Sequence, residues 1–169
     1  MPRNVDATEQ PVTGAPVEVV IHAGDRAALM PLLRLADDSE RAIAGYFARG
    51  TLLVAKMGGA IVGHALMIEG EAPATWELKS LAVLEARRHA GVGRLLVEAG
   101  LAHARGQGAR SVVVATATAD TGLLRFYQRL GFRMTRVERD AFTPDAGYPP
   151  DLFADGIRIL DRVWLDRAC

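Results

Sequence analysis

A short basic loop containing glycines lies between a predicted strand and a predicted helix. The strand ends at Val83, and the loop and helix start that follow contain Arg88, Gly91, Gly93 and Arg94. The first turn of a helix presents backbone N–H groups without partners, and its dipole adds about half a positive charge. Glycines let a ligand approach those groups closely. The spacing therefore predicts an anion site, and a pyrophosphate is the ligand that suits it best.

The same residues are also compatible with a plain turn followed by a solvated basic helix face. Two common nucleotide-binding motifs are absent from the sequence. It has neither the G-x-x-x-x-G-K-[ST] of a P-loop nor the G-x-G-x-x-G of a dinucleotide-binding fold. The surroundings of the loop must therefore decide between the two interpretations.

Those surroundings resemble a known family, the GNAT N-acetyltransferase superfamily. The segment R-H-A-G-V-G at residues 88–93 resembles its [Q/R]-x-x-G-x-[G/A] signature, which binds the pyrophosphate of acetyl-CoA. The segment F-Y-Q-R-L-G-F at residues 126–132 resembles its second signature, F-Y-x-x-x-G-F. A strand predicted at 111–116 lies where the family has its fifth strand. The close resemblance covers residues 76–132, and the pattern of elements is compatible over 17–166.

The resemblance implies a cofactor site between the fourth and fifth strands, which splay apart in this family. The pantetheine arm of acetyl-CoA would lie against the backbone of Leu81, Ala82 and Val83, and the Leu81 N–H would stabilise the oxyanion. Seven residues would wrap the pyrophosphate, namely Arg88, His89, Ala90, Gly91, Val92, Gly93 and Arg94. His89 replaces a glycine that is frequent there. Thr118 stands near the place of an asparagine that often contacts the cofactor.

Two side chains are candidates for proton transfer by the same resemblance. Tyr127 matches the family tyrosine near the cofactor sulfur and would protonate the leaving thiolate, or it is a core tyrosine. Glu77 matches a frequent glutamate that takes a proton from the amine, or it is a surface residue paired with Lys79 or an arginine. Strand alternation puts Glu77 and Lys79 on the same face as Leu81, unless a bulge intervenes.

These residues imply an acetyl-CoA-dependent N-acetyltransferase that transfers its acetyl group directly to a primary amine of a small molecule or peptide. A second hypothesis is an acyl-CoA-binding module without turnover, which needs neither Tyr127 nor Glu77. In this family the acceptor side is formed by the first two helices and the loop between the last two strands. Five aromatic residues of those segments either line an acceptor pocket with few charges or pack loops and a dimer contact, namely Tyr46, Phe47, Phe142, Tyr148 and Phe153.

Periodicity predicts the elements that must position these residues. Strands are expected at 17–21, 51–56, 60–68, 76–83, 111–116, 133–142 and 156–165. Helices are expected at 25–35, bent or shortened by Pro31, from 37–39 to 48, at 91–106, and from 120 to 130. The third helix should bury the stripe Val92, Leu95, Leu96, Ala99 and Ala102. The fold class is therefore α/β (α+β), and the resemblance specifies a mixed, mostly antiparallel sheet flanked by about four helices.

Composition sets the remaining expectations. The chain has 169 residues, with 20 basic and 20 acidic side chains, which gives no electrostatic footprint for nucleic acid or an anionic membrane. We expect a flexible tail over 1–16 and one domain over 17–169. No Cys/His cluster suggests a metal, and the single cysteine, Cys169, is expected to be an exposed tail thiol. We expect a bacterial, cytoplasmic enzyme without a membrane span, and a homodimer is a further expectation from the family.

Overall fold

A computed structural model of the chain describes residues 15–169. The predicted tail falls outside the described residues, except for its last two positions. The strands are β1 Val17–Ile21, β2 Thr51–Met57, β3 Ala60–Glu69, β4 Thr75–Val83, β5 Ser111–Ala117, β6 Arg133–Glu138, β7 Phe153–Ala154, β8 Ile157–Arg158 and β9 Arg162–Ala168. The helices are α1 Met30–Ala36, α2 Glu40–Tyr46, α3 Val92–Gly106 and α4 Thr121–Arg129. Short 3-10 turns lie at Arg26–Leu29, Glu85–Arg87 and Pro144–Ala146.

Seven strands form one mixed sheet in the order β1-β2-β3-β4-β5-β9-β6. Only β4 and β5 run parallel, and the other neighbours are antiparallel. The helix α3 makes the crossover between the two parallel strands, as such a connection requires. The predicted mixed, mostly antiparallel sheet with about four helices is confirmed.

The sheet opens between β4 and β5. The two strands pair from Thr75 opposite Ser111 to Leu78 opposite Val114, and no further. Beyond this point β4 continues to pair with β3 as far as Val83, and β5 pairs with β9 along its whole length. Residues 79–83 and 115–117 therefore face each other across a gap in the sheet, and the predicted splay is confirmed.

Each face of the sheet carries its own core. On one face α3 and α4 pack over a cluster that includes Leu78, Leu96, Val114 and Leu165. On the other face α1 and α2 cover β2 and β3, with Leu33 and other aliphatic side chains fully buried between them. The second cluster does not extend over β9 and β6, so the sheet is left without a helix on that face beyond the gap.

A bulge in β4 overturns the predicted side-chain alternation. Leu66 of β3 lies opposite Ser80, and the next residue lies opposite Leu78, so β4 contains one extra residue at Lys79. Leu78 and Leu81 both pack into the α3 cluster although three positions separate them. Glu77 stands between Trp76 and Leu78, which both pack into that cluster, so its side chain faces the opposite side of the sheet. The prediction that Glu77 and Lys79 share a face with Leu81 is therefore wrong, because a bulge shifts the alternation by one residue.

Several predicted boundaries are also wrong. The helix expected at 25–35 is shortened and not bent, because α1 begins at Met30 with Pro31 in its first turn, where the missing N–H is harmless. The strand expected at 133–142 ends at Glu138, because Asp140 turns the chain with a φ of 55° and donates its N–H to the Asp161 carboxylate. The strand expected at 156–165 is split. Its first part forms β8, which pairs with β7 in a small hairpin, and β9 begins only at Arg162.

Two burial predictions fail at side chains that the sequence pattern misassigned. The buried face of α3 consists of Val92, Leu96, Val97, Gly100, Leu101 and Ala104. Val92, Leu96 and Ala99 of the predicted stripe do pack into the core, but Leu95 is 44% exposed and Ala102 is also exposed, so the stripe is wrong at these two positions. Cys169 is half-buried against the α3 cluster, and its N–H donates to the Arg110 carbonyl, so it is not an exposed tail thiol.

Candidate active site

The loop after β4 leads into the N-terminus of α3. Arg88 is extended, His89 has a φ of 64°, and Gly91 has a φ of 79° as the N-cap of the helix. Because Gly91 has no side chain, nothing caps the first turn, and the first N–H of this turn to bond a carbonyl is that of Leu95, to Gly91. The N–H groups before it are left for a ligand. The backbone thus has the open N–H groups that the predicted anion site requires.

The two glycines of the loop have different roles. An added side chain at Gly91 would meet nothing within 4 Å, so its role is the left-handed backbone conformation. A Cβ on Gly93 would lie 3.3 Å from Cζ of Phe126, so this glycine lets α3 pack closely on α4. The expectation that both glycines give access to a ligand therefore suits Gly91 better than Gly93.

Three arginines surround this backbone site, and all three are exposed, namely Arg87, Arg88 and Arg94. Within the part of the chain that the structure describes, none of them forms an ion pair. Nε of Arg88 donates to the Val83 carbonyl at 3.4 Å, which places this side chain beside the gap between β4 and β5. The positive charge of the loop is therefore available to an anion.

The backbone of β4 beyond the bulge points alternately towards β3 and into the gap. The Leu84 N–H bonds to the Val62 carbonyl of β3. Because successive residues of a strand point their backbone groups to opposite sides, Ala82 points towards β3, and Leu81 and Val83 point into the gap. The Arg88 contact with the Val83 carbonyl agrees with this direction. Leu81 thus presents its N–H where the resemblance expects an oxyanion donor.

Tyr127 lies on α4, in the core cluster that α3 and α4 cover. Its side chain is 4% exposed and packs edge-on against Phe126 and Phe132, with ring centroids 5.2 and 5.6 Å away. Burial raises the pKa of Tyr127 above its usual value, and the charge of Asp120, the N-cap of α4, raises it further. The hydroxyl therefore keeps its proton near neutral pH. Its environment fits both the core role and a role as a proton donor.

Thr118 follows β5 at the edge of the gap. Its backbone N–H and its hydroxyl both donate to the Asp161 carbonyl, at 2.9 and 3.3 Å. These two bonds tie the end of β5 to the residue before β9. Contact between Thr118 and a cofactor stays a prediction.

Glu77 lies on the face of the sheet opposite α3, one residue before the last β4–β5 pair. Its side chain is 14% exposed, and Oε1 is 3.1 Å from Nζ of Lys79. The pairing with Lys79 that the sequence left open is thus present. Glu77 also lines a cleft of 400 Å³, so it is accessible from the face of the sheet opposite α3.

The cleft is lined mainly by charged side chains. Its floor includes Arg136 and Glu138 of β6, with Arg162 and Trp164 of β9. The Glu138 carboxylate accepts from Nε1 of Trp164 at 3.1 Å and from Nη1 of Arg162 at 3.3 Å. The bond from Trp164 is the main reason why the pKa of Glu138 is low, and Arg162 adds to it. The other lining residues are Arg49, Ile68, Glu69, Glu71 and Lys79.

This lining differs from the expected acceptor pocket with aromatic walls and few charges. Tyr46 is buried, Phe142 and Tyr148 pack edge-on at 4.9 Å, and Phe153 is 59% exposed in the small hairpin. None of the five aromatic residues named from the sequence lines the cleft. Four lining residues that the sequence reasoning missed stand at alternate positions of two strands, Arg136 and Glu138, Arg162 and Trp164. This alternation is the pattern in the sequence from which the four lining residues could have been predicted.

A chain of polar groups runs beneath the cleft from a buried histidine. Nε2 of His64 lies 2.8 Å from Oγ of Ser80, and both side chains are buried. Ser80 also lies beside Tyr46, whose hydroxyl donates to the Asp37 carboxylate at 3.3 Å. Burial lowers the pKa of His64 to about 4 and raises that of Asp37. His64 is therefore a neutral packing residue.

Neither a metal site nor a membrane-spanning helix has candidate residues among residues 15–169. No group of three histidine, cysteine, aspartate or glutamate side chains in this part of the chain could hold a metal ion. No helix there is both long enough and apolar enough to cross a membrane.

Comparison with known proteins agrees with this geometry. The model of the acetyltransferase (GNAT) family matches residues 25–132. An uncharacterized N-acetyltransferase of Bacillus subtilis, YvbK, is 31% identical over 140 residues, which are 82% of this chain and 88% of that protein.

Solved structures are similar over most of their length. An IAA acetyltransferase from Bacillus cereus superposes with a TM-score of 0.81 at 33% identity, covering 90% of this chain and all of that one. A GNAT family acetyltransferase from Elizabethkingia anophelis, solved with acetyl-CoA bound, superposes with a TM-score of 0.83 at 28% identity. It covers 90% of this chain and 98% of its own.

Proposed function

Because this chain belongs to the acetyltransferase (GNAT) family, whose co-substrate is acetyl-CoA, we propose that it transfers the acetyl group directly to a primary amine. The acceptor is a small molecule or a peptide. One observation carries this proposal: the opening of the sheet beyond Leu78 and Val114 separates an uncapped helix N-terminus from a charged cleft. An acyl donor and an amine can therefore meet at the opening from opposite faces.

The donor side of the proposed site is the gap together with the basic loop. The pantetheine arm lies along Leu81, Ala82 and Val83, and the uncapped N–H groups of α3 bind the pyrophosphate. The arginines of the loop add charge-assisted bonds, which are about twice as strong as neutral ones. Supporting this assignment, Gly91 leaves the helix N-terminus open and all three arginines are exposed. Thr118 is proposed to contact the same cofactor from the end of β5.

The transfer needs stabilisation of one developing negative charge and three proton movements: the acceptor nitrogen loses one proton before it attacks and a second when the tetrahedral intermediate collapses, and the leaving sulfur gains one. The amine nitrogen attacks the thioester carbonyl carbon, the C–N bond forms, and the C–S bond breaks. The Leu81 N–H points into the gap and would donate to the carbonyl oxygen as it becomes negative. Tyr127, which burial keeps protonated, would give its proton to the leaving sulfur.

The acceptor side of the proposal is the cleft around Glu77. An ammonium group has no lone pair to attack with, so a base must first remove a proton. Glu77 is the carboxylate of β4 nearest to the opening, and it is only 14% exposed, which strengthens its electrostatic interactions. We assign it this role, directly or through a water, with Lys79 holding it in place.

The proposal also includes the number of domains, the cellular compartment and the oligomeric state of the enzyme. Residues 17–169 would form one domain, since one seven-stranded sheet includes both β1 and β9. A bacterial, cytoplasmic enzyme fits the bacterial relatives and the compartment in which acetyl-CoA is made and used. A homodimer would be recognised from the molar mass in solution by light scattering.

The experiment that tests this function combines product detection with a search for an acetylated enzyme. The full chain is incubated with acetyl-CoA and a panel of polyamines, amino acids, aminoglycosides and peptides, and released CoA and acetylated product are measured. Direct transfer predicts amine-dependent CoA release and an unmodified enzyme by intact mass after incubation with acetyl-CoA alone. Release without any acetylated amine, or a stable acetyl-enzyme, would refute the proposal.

A further inference from the structure

The charges of the cleft carry information about the acceptor. Two ion pairs lie on the floor of the cleft, Lys79–Glu77 at 3.1 Å and Arg162–Glu138 at 3.3 Å, and the two charges within each pair neutralise each other. Four other charged lining side chains form no ion pair and no side-chain hydrogen bond among residues 15–169, namely Arg49, Glu69, Glu71 and Arg136. Arg136 is the one of these four that stands on the floor, where its charge helps to lower the pKa of Glu138.

Arg136 is nevertheless held in a fixed place. Its guanidinium lies over the Trp164 ring, with the central carbon 4.6 Å from the ring centroid. The ring is fixed in turn, because its N–H donates to the Glu138 carboxylate. A guanidinium stacked on an aromatic face keeps the donors along its edge available for a planar anion such as a carboxylate.

This cation lies close to the opening of the sheet. Arg136 pairs with Trp164, and Trp164 pairs with Ala115, the first residue of β5 beyond its pairing with β4. Ala115 and Ala117 are small, so the side chains of β9 and β6 are accessible across β5. On the other side of the opening lies Glu77, the proposed base. A positive group and a carboxylate therefore flank the place where the acceptor amine must enter.

We propose that the acceptor carries a carboxylate as well as its primary amine, as an α-amino acid does, and that Arg136 binds this carboxylate. The inference rests on the proposed function and names its substrate class. The acceptor amine lies on the Glu77 side and the carboxylate on the Arg136 side. A polyamine could contact the lining carboxylates Glu69 and Glu71, but it would bring no negative group to pair with Arg136. The cleft of 400 Å³ is of the size that small-molecule sites have.

The test compares acceptors that differ only in the carboxylate. Each of a panel of L-amino acids is assayed as the free acid, as its C-terminal amide and as the decarboxylated amine, with rates expressed per neutral amine. Wild-type enzyme should use the free acid of its preferred amino acid with a kcat/KM about tenfold or more above the amide, the effect of one charge-assisted bond. Amides or decarboxylated amines that equal or exceed the free acids would overturn the proposal.

Two variants identify the cation. Arg136→Gln should abolish the preference for the free acid through a higher KM, and should leave acetyl-CoA affinity and the rate with the amide unchanged. Arg133→Gln removes the same charge from the same strand at a position that does not line the cleft, and it should behave as wild type. A preference that survives in Arg136→Gln would refute the assignment.

The outcomes also separate this inference from the function on which it rests. An enzyme that binds acetyl-CoA and acetylates polyamines or aminoglycosides, but no amino acid, would overturn the substrate class and keep the acetyltransferase. An enzyme that neither binds acetyl-CoA nor acetylates any amine would overturn both.

Discussion

Substitution of Gly91 by glutamate should weaken acetyl-CoA binding by placing a negative charge at the pyrophosphate site. Gly91 has a φ of 79°, and a Cβ there meets nothing within 4 Å, so the new side chain fits without a clash. The left-handed backbone costs any non-glycine residue roughly 1–2 kcal/mol. This cost lowers the free energy of unfolding, and Gly91→Ala shares it. The alanine variant is therefore the matched control for the backbone.

The charge effect can be estimated from Coulomb's law. A carboxylate about 5 Å from a pyrophosphate with about two negative charges is repelled by about 1.7 kcal/mol in water, which is roughly twentyfold in affinity. Screening at about 0.1 M salt acts over about 10 Å and reduces this only in part. Uncapped N–H groups that are shared with the new carboxylate would add to the loss. Roughly twentyfold is thus the expected order of magnitude.

The assay is isothermal titration calorimetry of acetyl-CoA with wild type, Gly91→Ala and Gly91→Glu at low and moderate salt. Gly91→Ala should bind within a few-fold of wild type, and Gly91→Glu roughly twentyfold more weakly than Gly91→Ala, with a smaller difference at higher salt. Equal affinity of the two variants at low salt would show that no phosphate lies near residue 91, and the loop assignment would then be wrong.

Three further changes test other parts of the site. Tyr127→Phe should reduce kcat by about tenfold or more while acetyl-CoA affinity changes little, since only the proton donor is lost; unchanged kcat would return Tyr127 to a purely structural role. Glu77→Gln keeps the shape of the side chain and should lower kcat/KM for the acceptor but not acetyl-CoA affinity in calorimetry; unaltered kinetics would leave Glu77 as a partner of Lys79 only. Burial lowers the pKa of His64 from 6.5 to about 4, so the unfolded chain binds this proton at higher pH than the folded chain. The unfolding free energy of wild type, measured by urea denaturation against His64→Gln, should therefore decrease by roughly 3 kcal/mol as the pH falls from 6.5 to below 4. A difference that does not vary with pH would contradict the burial of a neutral imidazole.

Much of the fold followed from short-range patterns. The strands β1 to β5 and the helices α2, α3 and α4 were located to within a few residues, because turn glycines and N-capping side chains mark their ends. Gly58 and Gly59 have the positive φ that the predicted turn between β2 and β3 requires. Asp120 caps α4 through the Leu123 N–H, as expected.

The errors arise where distant residues decide the structure. The Asp161 carboxylate accepts a hydrogen bond from the N–H of Asp140, which is distant in sequence. No local sequence pattern therefore predicts that β6 ends before Asp140. The alternating residues of 156–165 could pair in a local hairpin or in the large sheet, and they do both. The bulge at Lys79 depends on how β3 and β4 pair, which alternation within one strand does not specify.

The donor side of the candidate site was accessible from the sequence, because the loop, the helix start and Leu81 lie within one short stretch. The acceptor cleft was not. Its floor exists because β9 inserts between β5 and β6 and brings Arg162 and Trp164 beside Glu138 and Arg136. These residues come from two strands that are separated by the whole loop between Glu138 and Arg162, so only the folded chain brings them together.

Hydrogen–deuterium exchange of the full chain with and without acetyl-CoA tests the central claim most directly, because it locates the cofactor without any knowledge of the acceptor. We predict slower exchange in peptides covering residues 79–83, 88–95 and 115–118, and unchanged exchange in β1 and α1. Unchanged exchange over 88–95 at saturating acetyl-CoA, or protection confined to segments outside the gap and the loop, would contradict the account.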